Sequence, residues 1–319
     1  MFKFWDLKRE AFALDISGSS LKIVRLKKKQ GSFYLSSFGW EKLEDGVIEE
    51  GVIKNEKLLV KSLKSAYSKV EGEKLDTKYA IVSLPEEESF SQVIQMPIMS
   101  QDELKSAIQF QIENYIPLPI EDVYLDFQII PAVKDSLDHI DVLIVAIPKK
   151  IVDSYLSCSE QAGLIPIVFE VKPQAIVRAL IKDEVSQKPL VLINFEGDRA
   201  DMVVFSGHCV RFTCSILSPS NLENFVLQIK KYIDFYEEHA SHEHLFFKSQ
   251  VEKIVLCGDS ANLKNLPEYL SSQLKIPAEL GNPFINFPSK PKNFSVCKEP
   301  LFYTVALGLA LRGIDGLPA

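Results

Sequence analysis

Strand-like and helix-like hydrophobic patterns alternate along the whole chain. Apolar or alternating runs predict strands at 12–15, 21–26, 33–38, 79–84, 90–96, 124–130, 140–147, 190–195, 201–205, 210–215 and 253–257. Amphipathic runs predict helices at 56–70, 150–162, 222–238, 263–274 and 301–311. Such alternation is typical of α/β architecture.

The hydrophobic pattern of residues 86–160 differs from that of the flanking segments and predicts a compact α+β insert in a larger fold. Ser100 and Glu103 have the spacing of a capping box, which predicts that a helix begins there. Pro117 and Pro119 end that helix, because proline breaks the helical hydrogen-bond pattern. Strands on either side of this helix complete the insert.

A strand–turn–strand–strand unit occurs twice, first over 12–38 and again over 190–215. The two copies share little residue identity but the same order of elements. The repetition predicts two related halves that face one another.

The amino-acid composition argues against some classes of function. The 319 residues include 36 Lys and Arg against 43 Asp and Glu, a net charge of −7, which argues against a nucleic-acid partner. No apolar run approaches the roughly 18–20 residues needed to span a bilayer. Five cysteines, with no C-x-x-C pair, are typical of buried reduced thiols in a cytosolic protein.

The first turn that could carry chemistry lies in the segment A-L-D-I-S-G-S-S-L-K. Asp15 ends a strand, and Gly18, Ser19 and Ser20 form a turn whose N–H and hydroxyl groups could cradle a phosphate. Lys22 could add a positive charge. The same sequence also makes an ordinary turn, so by itself it does not establish a site.

Two later turns have departures from a phosphate-binding pattern. In I-N-F-E-G-D, a neutral Asn194 stands where a carboxylate is expected, and Glu196 before Gly197 brings a negative charge toward any bound phosphate. In V-L-C-G-D-S, Gly258 permits close backbone approach, while Asp259 could cap the following helix and occupy its N–H groups.

The segment H-A-S-H-E-H at 239–244 invites a metal interpretation, but its spacing fits no standard zinc pattern and favours a solvated loop. The chain contains no G-x-S-x-G, H-E-x-x-H, P-loop or dinucleotide-binding motif.

Taken together, these segments resemble the PilM-like branch of the actin-like superfamily, which is related to the cell-division protein FtsA. The likeness is strongest in Q-I-E-N-Y-I-P-L-P-I-E-D-V-Y-L-D-F-Q at 111–128 and continues in G-L-A-L-R at 308–312. It implies a two-lobed actin-like (ribonuclease H-like, duplicated) α/β fold with an FtsA-type 1C insert. Subdomain 1A would comprise 1–85 with part of 160–185 and the helix 300–319, subdomain 1C 86–160, and subdomains 2A and a shortened 2B 186–299.

The resemblance also implies a role. Proteins of this family act as cytoplasmic adaptors of the type IV pilus platform, peripheral to the inner membrane, and bind the N-terminal tail of PilN in a groove between 1A and 1C. Motor ATPases are further expected partners, as is self-association into a ring. The groove residues expected from the family-like segment are Tyr115, Ile116, Pro117 and Phe127.

In family members, ATP and Mg²⁺ bind at three motifs, and residues that match them here are Asp15, Gly18, Ser19, Ser20, Lys22, Asn194, Gly197 and Gly258. Four departures affect this ligand: Ser17 replaces a glycine, Asn194 and Glu196 replace an Asp and a Gly, Asp259 replaces a second Gly, and the stretch 215–222 is short. We therefore expect weak or absent ATP binding and no meaningful hydrolysis.

Other functions of the same fold remain open at this stage. A nucleotide-dependent, FtsA-like filament would polymerise with ATP. A sugar kinase or ATPase would need an intact second carboxylate and a general base, neither of which is recognisable. A component of a related type II secretion machine would share the adaptor role.

Overall fold

The computed structural model describes residues 10–29, 32–112, 115–116, 118–131, 139–217, 222–240, 250–259, 261, 265–288 and 299–315. The strands are β1 Phe12–Ile16, β2 Ser20–Lys29, β3 Ser32–Lys42, β4 Ile48–Glu49, β5 Val52–Ile53, β6 Glu71–Gly72, β7 Tyr79–Leu84, β8 Phe90–Pro97, β9 Val123–Ile130, β10 His139–Pro148, β11 Ile165–Val171, β12 Ser186–Glu196, β13 Arg199–Gly207, β14 Cys209–Leu217, β15 Lys253–Gly258 and β16 Ala278–Leu280. The helices are α1 Glu56–Ser68, α2 Gln101–Gln111, α3 Lys149–Gln161, α4 Lys172–Leu180, α5 Leu222–Ala240, α6 Leu266–Leu274 and α7 Thr304–Asp315.

Two large sheets form the two lobes, and they repeat one strand pattern. The first has the order β11-β7-β1-β2-β3-β6 and the second the order β14-β13-β12-β15-β16. In each, a three-stranded antiparallel meander (β1–β3 or β12–β14) continues through a parallel neighbour of its first strand, β7 or β15. The repetition predicted from the sequence is therefore confirmed.

Helices α4 and α7 pack against each other, and α7 also packs on strands β1, β2 and β7. The largest buried apolar cluster joins their side chains to both sheets, from Ala13 and Ile81 in the first to Ile193 and Leu256 in the second. A second cluster fills the opposite face of the first sheet, under α1 and α3. One continuous core thus connects the lobes, so the turns at the strand ends have fixed relative positions.

A small sheet with the order β8-β10-β9 packs against α2 around its own apolar cluster. The predicted capping box of α2 is confirmed: Glu103 N donates to Ser100 Oγ, and Ser100 N donates to Glu103 Oε2 at 2.9 Å. The sheet touches the second lobe, where Arg211 Nη1 donates to Asp141 Oδ2 at 3.2 Å. It lies inside the range assigned to the insert, and the subdomain boundaries themselves stay a prediction.

The hydrophobic pattern did not predict strands β4, β5, β6, β11 and β16 or helix α4. Strand β11 contains Pro166, which normally argues against a strand, but β11 is the last strand of its sheet and has a register shift there. Helix α4 begins directly after β11 with Lys172 and Pro173, a proline position that suits a first helical turn. Helix α6 begins at Leu266, three residues later than predicted.

Within the described residues, none of the helices combines the length and apolarity that crossing a bilayer requires. Cys158, Cys209 and Cys257 are buried thiols, Cys214 is half-buried, and none of the four forms a disulfide. Cys297 and the predicted hairpin at 134–138 lie outside the described residues.

The packing of α7 on α4 predicts the effect of one substitution. A Cβ at Gly308 would lie 1.9 Å from the carbonyl oxygen of Ala175. We expect Gly308→Ala to lower the free energy of unfolding by about 1–3 kcal/mol, because overpacking outweighs alanine's better helix propensity. Chemical denaturation measures the change. The matched control is Gly313→Ala in the same helix, whose Cβ would meet only the end of the Ile81 side chain; an equal loss in both variants would contradict the argument.

Candidate functional site

Three turns meet in the cleft between the lobes. The turn after β1 contains Ser17 and Ser19, the turn between β12 and β13 contains Gly197, and Asp259 follows β15. A Cβ on Gly197 would lie 3.2 Å from Ser19 Oγ, so the first two turns approach closely. Crevices at the carboxyl ends of such strands are common ligand sites in α/β folds. The structure thus brings together the turns that the sequence singled out.

Side chains of the protein itself already take the donors of these turns. Gly197 N donates to Asp259 Oδ2 at 2.9 Å. Ser20 N donates to Ser17 Oγ at 3.1 Å, and that hydroxyl donates to the Ser20 carbonyl at 3.0 Å. The suggestion that Asp259 could cap the following helix is wrong. The N-cap of α6 is Asn265, and Asp259 Oδ2 accepts a hydrogen bond from the turn of Gly197 instead.

A buried ion cluster lies beneath the turns. Lys172 Nζ donates to Glu196 Oε2 at 2.5 Å, and Lys22 Nζ lies 4.0 Å from Glu196 Oε1. Asn194 Nδ2 donates to the same Oε1 at 3.2 Å. The Glu196 carboxylate therefore lies between two buried lysines, in the position that a bound anion would take.

Asp15, the carboxylate of the first turn, is held from both sides. Its Oδ1 accepts a hydrogen bond from Ser83 Oγ at 2.9 Å, and its Oδ2 lies 3.5 Å from Lys22 Nζ. The ammonium of Lys22 also lies 4.6 Å from the centre of the Phe302 ring. Asp15 and Lys22 thus form part of the same cluster as Glu196.

The pKa values in this cluster follow from burial and pairing. Burial alone would raise the pKa of Glu196, but Lys172 and Lys22 lower it below its ordinary value. Burial alone would lower the pKa of Lys172, but the carboxylates of Glu196 and Asp15 raise it well above its ordinary value. Burial raises the pKa of Asp15, against the effect of Lys22. The Lys172–Glu196 pair is therefore a charged pair at neutral pH.

Two further acids, Asp201 and Glu86, are buried near the cleft, and neither forms an ion pair with a lysine or arginine among the described residues. Burial raises the pKa of Asp201 to about 8; Lys172 opposes this, and Glu196 and Glu87 add to it. Burial likewise raises the pKa of Glu86 to about 7, against hydrogen bonds from Thr213 and Ser89. Asp201 is protonated in most molecules at neutral pH, and Glu86 in about half.

A second candidate site is a groove between the small sheet and the first lobe. It encloses about 580 Å³ and is lined by β9, β10, β11 and α4. Strands β9 and β11 are each terminal in their sheets, and β9 pairs only with β10 in the described part of the chain. Side chains of Tyr124, Val145 and Phe169 line it, on the sheet face opposite to the one that packs against α2.

Polar groups of α4 and α7 close one end of this groove. Arg178 Nη1 donates to Glu170 Oε1 at 2.6 Å, and Arg312 donates to Glu170 Oε2. Gln174 Nε2 is buried and has no hydrogen-bond partner among the described residues. The groove therefore combines apolar walls with an amide group that could still donate a hydrogen bond.

The three described residues among the four predicted for a peptide groove do not line one cavity. Phe127 belongs to the strand that borders the groove just described, but its side chain packs into the apolar cluster of the small sheet. Tyr115 and Ile116 line a separate cavity of about 50 Å³ with Phe90 and Ile112. Pro117 lies outside the described residues. A contact between any of these residues and a peptide stays a prediction.

Sequence reasoning missed Lys172 and Asp201. Lys172 is 24 residues from Glu196 and reaches it only because α4 lies between the lobes. The available signal was a Lys-Pro helix start after the apolar run 165–171. Asp201 interrupts an otherwise apolar strand, M-V-V-F, which marks an unusual buried acid.

The histidine segment offers no described metal site. His239 Nδ1 lies 2.8 Å from the Phe235 carbonyl, its ring stacks on Phe235, and 241–244 lie outside the described residues. Across the part of the chain that the structure describes, no group of three or more His, Cys, Asp or Glu side chains could hold a metal ion.

Comparisons with known proteins agree with this architecture. A family model described as type IV pilus assembly protein PilM matches residues 13–192 and 194–314. The chain is similar to a solved PilM–PilN type IV pilus biogenesis complex, with 21% identity, a TM-score of 0.78 and coverage of 96% of this chain and 99% of that chain. It is also similar to the ethanolamine utilization protein EutJ from Carboxydothermus hydrogenoformans, with 11% identity, a TM-score of 0.52 and coverage of 94% and 89%. The predicted two-lobed actin-like fold is confirmed.

Asp201 predicts a pH dependence of stability. The folded state keeps its proton up to about pH 8, whereas the unfolded chain loses it near the ordinary pKa of 3.8. The unfolded state therefore binds fewer protons between these values, and the contribution of Asp201 to stability is lost as pH rises toward 8. We expect Asp201→Asn to be more stable than the wild type at pH 8, and to have a shallower fall in the free energy of unfolding between pH 5 and 8. Urea unfolding at several pH values measures both, with the exposed neighbour Asp198→Asn as control; an unchanged slope in Asp201→Asn would contradict the assignment.

Proposed function

Because the chain belongs to the family of the type IV pilus assembly protein PilM, we propose that it is a cytoplasmic adaptor of the inner-membrane pilus assembly platform. In this proposal it binds the N-terminal cytoplasmic tail of a PilN-like membrane protein and reaches the membrane through that partner. The similar solved structure is described as a PilM–PilN complex, which supports a PilN partner.

The observation that carries the proposal is the groove bounded by β9 and β11. An extended peptide that adds to a terminal strand gains main-chain hydrogen bonds, while its alternate side chains enter pockets. Both terminal strands line the groove, and its volume of about 580 Å³ accommodates several side chains of a tail. Contacts with Tyr124, Val145 and Phe169 supply affinity.

Gln174 supports a polar contact in the same groove. Its buried Nε2 has no partner among the described residues, and such a group costs free energy until something accepts its hydrogen bond. A main-chain carbonyl or a side-chain oxygen of the tail would supply the acceptor. The register of the bound tail would then be set by one hydrogen bond as well as by apolar pockets.

The proposal includes no nucleotide chemistry, because the residues present do not fit ATP and Mg²⁺. Glu196 takes both lysines that a polyphosphate would need, and Asp259 takes the N–H of Gly197. Ser17 takes the N–H of Ser20. A bound polyphosphate would have to displace three internal partners and lie against the Glu196 carboxylate. The protein would therefore act by binding alone, without hydrolysis.

Peptide binding tests the first part of the proposal. The probe is a fluorescent peptide with the cytoplasmic tail sequence of the PilN-like protein from the same organism, titrated by anisotropy. We expect Tyr124→Ala and Phe169→Ala, on opposite walls of the groove, each to weaken binding at least about tenfold, because buried aromatic contacts dominate such interfaces.

Tyr115→Ala is the matched control, since it also truncates an aromatic residue near the small sheet but lines the other cavity. We expect it to change the affinity less than about twofold, because residues outside a hot spot contribute little to binding when they are truncated. Loss of binding in Tyr115→Ala but in neither groove variant would place the tail elsewhere and refute the groove. Thermal unfolding of each variant separates a lost contact from a lost fold.

Anion binding tests the second part. Calorimetric titration with Mg²⁺–ATP should give no heat with the wild type. We expect Glu196→Gln to bind pyrophosphate at least about tenfold more tightly than the wild type, because Lys22 and Lys172 lose their internal anion. Glu268→Gln, an equal charge change on the exposed face of α6, is the control and should not gain affinity. Micromolar binding of Mg²⁺–ATP by the wild type would overturn this part.

A further inference from the structure

The cleft contains a cavity of about 600 Å³ beside the ion cluster. Its walls come from both lobes: the turn at Ser17–Ser19, the loop at 45–51, and the turn between β12 and β13. A volume of this size lies within the range of about 300–1,000 Å³ that small-molecule sites occupy. The cavity is therefore large enough for an organic ligand rather than a single ion.

Its lining is strongly acidic. Seven carboxylates and three cationic side chains face it. Two of the cations are already paired, Lys172 with Glu196 at 2.5 Å and Arg199 with Glu50 at 3.1 Å. Of the three cationic side chains in the lining, this leaves Lys42 to balance the other carboxylates. A cavity with such an excess of negative charge attracts cations.

Asp201 is a buried acid in the wall of this cavity. Its side chain is 5% exposed and lines the cavity. Among the described residues it accepts no hydrogen bond and forms no ion pair. An ionised carboxylate buried without a partner is costly, and Asp201 avoids this cost by keeping its proton. A cationic donor inside the cavity would stabilise its ionised form.

The geometry of the acids favours an organic cation over a bare metal ion. No group of three or more of the described His, Cys, Asp and Glu residues is arranged to coordinate a metal. Ammonium groups on a flexible chain, by contrast, can reach separated carboxylates one at a time. The buried Asp201 and the exposed Asp198 and Glu87 provide such separated acceptors.

We propose that this cavity binds an alkylammonium ligand, with Asp201 as its buried acceptor and the acids of the rim as further partners. The ammonium comes either from a free polyamine or from a lysine side chain of a protein segment. The inference rests on the part of the proposed function in which the cleft does not take ATP, and is independent of tail binding in the groove.

Calorimetry of the full chain at physiological ionic strength tests the site with two probes. Spermidine represents a free polyamine, and Nα-acetyl-lysine methylamide represents a lysine side chain. Tighter binding of spermidine assigns the site to a polyamine, and binding of the lysine analogue at least as tight assigns it to a protein side chain. Heat from neither probe overturns the proposal, as does binding of Mg²⁺ alone.

Variants locate the binding. We expect Asp201→Asn to weaken it at least about tenfold, as for the loss of a hydrogen bond to a charged group. Glu87→Gln on the rim should weaken it less, and provides a second variant if Asp201→Asn folds poorly. The control is Glu268→Gln, an equal charge change on the exposed face of α6, which should leave affinity unchanged. Equal losses in Asp201→Asn and Glu268→Gln would mean diffuse charge attraction and overturn the site.

Proton release gives a readout specific to Asp201. Because Asp201 is protonated in the free protein, its pairing with an ammonium releases a proton, and the heat of binding changes with the ionisation enthalpy of the buffer. Lys172, Glu196, Glu87 and Glu86 are the other titratable groups that act on Asp201. The buffer dependence should disappear in Asp201→Asn; an unchanged dependence would contradict the role of Asp201.

Mg²⁺–ATP is titrated in the same series so that the two failures can be told apart. Binding of ATP, with no binding of either amine, would overturn both the nucleotide-free cleft and this inference. Absence of all three would overturn this inference alone.

Discussion

The arrangement of the cleft depends on one buried charge. Lys172 begins α4 deep between the lobes, where an unpaired ammonium would cost several kcal/mol. Glu196, at the end of β12, supplies the counter-charge at 2.5 Å, and Lys22 and Asn194 hold the same carboxylate from the other side. Because Glu196 belongs to the second lobe and Lys22 to the first, this set of contacts holds the two lobes in register without a ligand.

Helix α4 connects the two sites described above. Its first residue, Lys172, reaches the cleft, whereas Gln174 and Arg178 line the groove less than two turns later. Close contact with α7 at Gly308 fixes the helix along its length. The groove therefore rests on an element whose position the ion cluster determines, and a tail bound there would meet walls that are already in place.

The sequence was informative where local patterns suffice. The capping box of α2 and the repeated strand units could both be predicted from neighbouring residues. Partnerships across the cleft could not, because Lys172 with Glu196 and Gly197 with Asp259 are set by the packing of distant elements. The groove shows the same limit: a family-like segment contains both Phe127 and Tyr115, but strand register turns Phe127 into the core of the small sheet and helix packing leaves Tyr115 at a separate cavity.

The hydrogen bond from Gly197 to Asp259 also bears on how such a cleft can change during evolution. Glycine at 259 alone would free one N–H but leave Glu196 on its lysines, and glycine at 196 alone would leave Lys22 and Lys172 without their shared carboxylate. Each single substitution is thus neutral or harmful, and both together would still leave Ser17 on the N–H of Ser20. A cleft with both carboxylates is thus several simultaneous substitutions away from a phosphate cradle, so we expect natural selection to act on the contacts of this chain with other molecules.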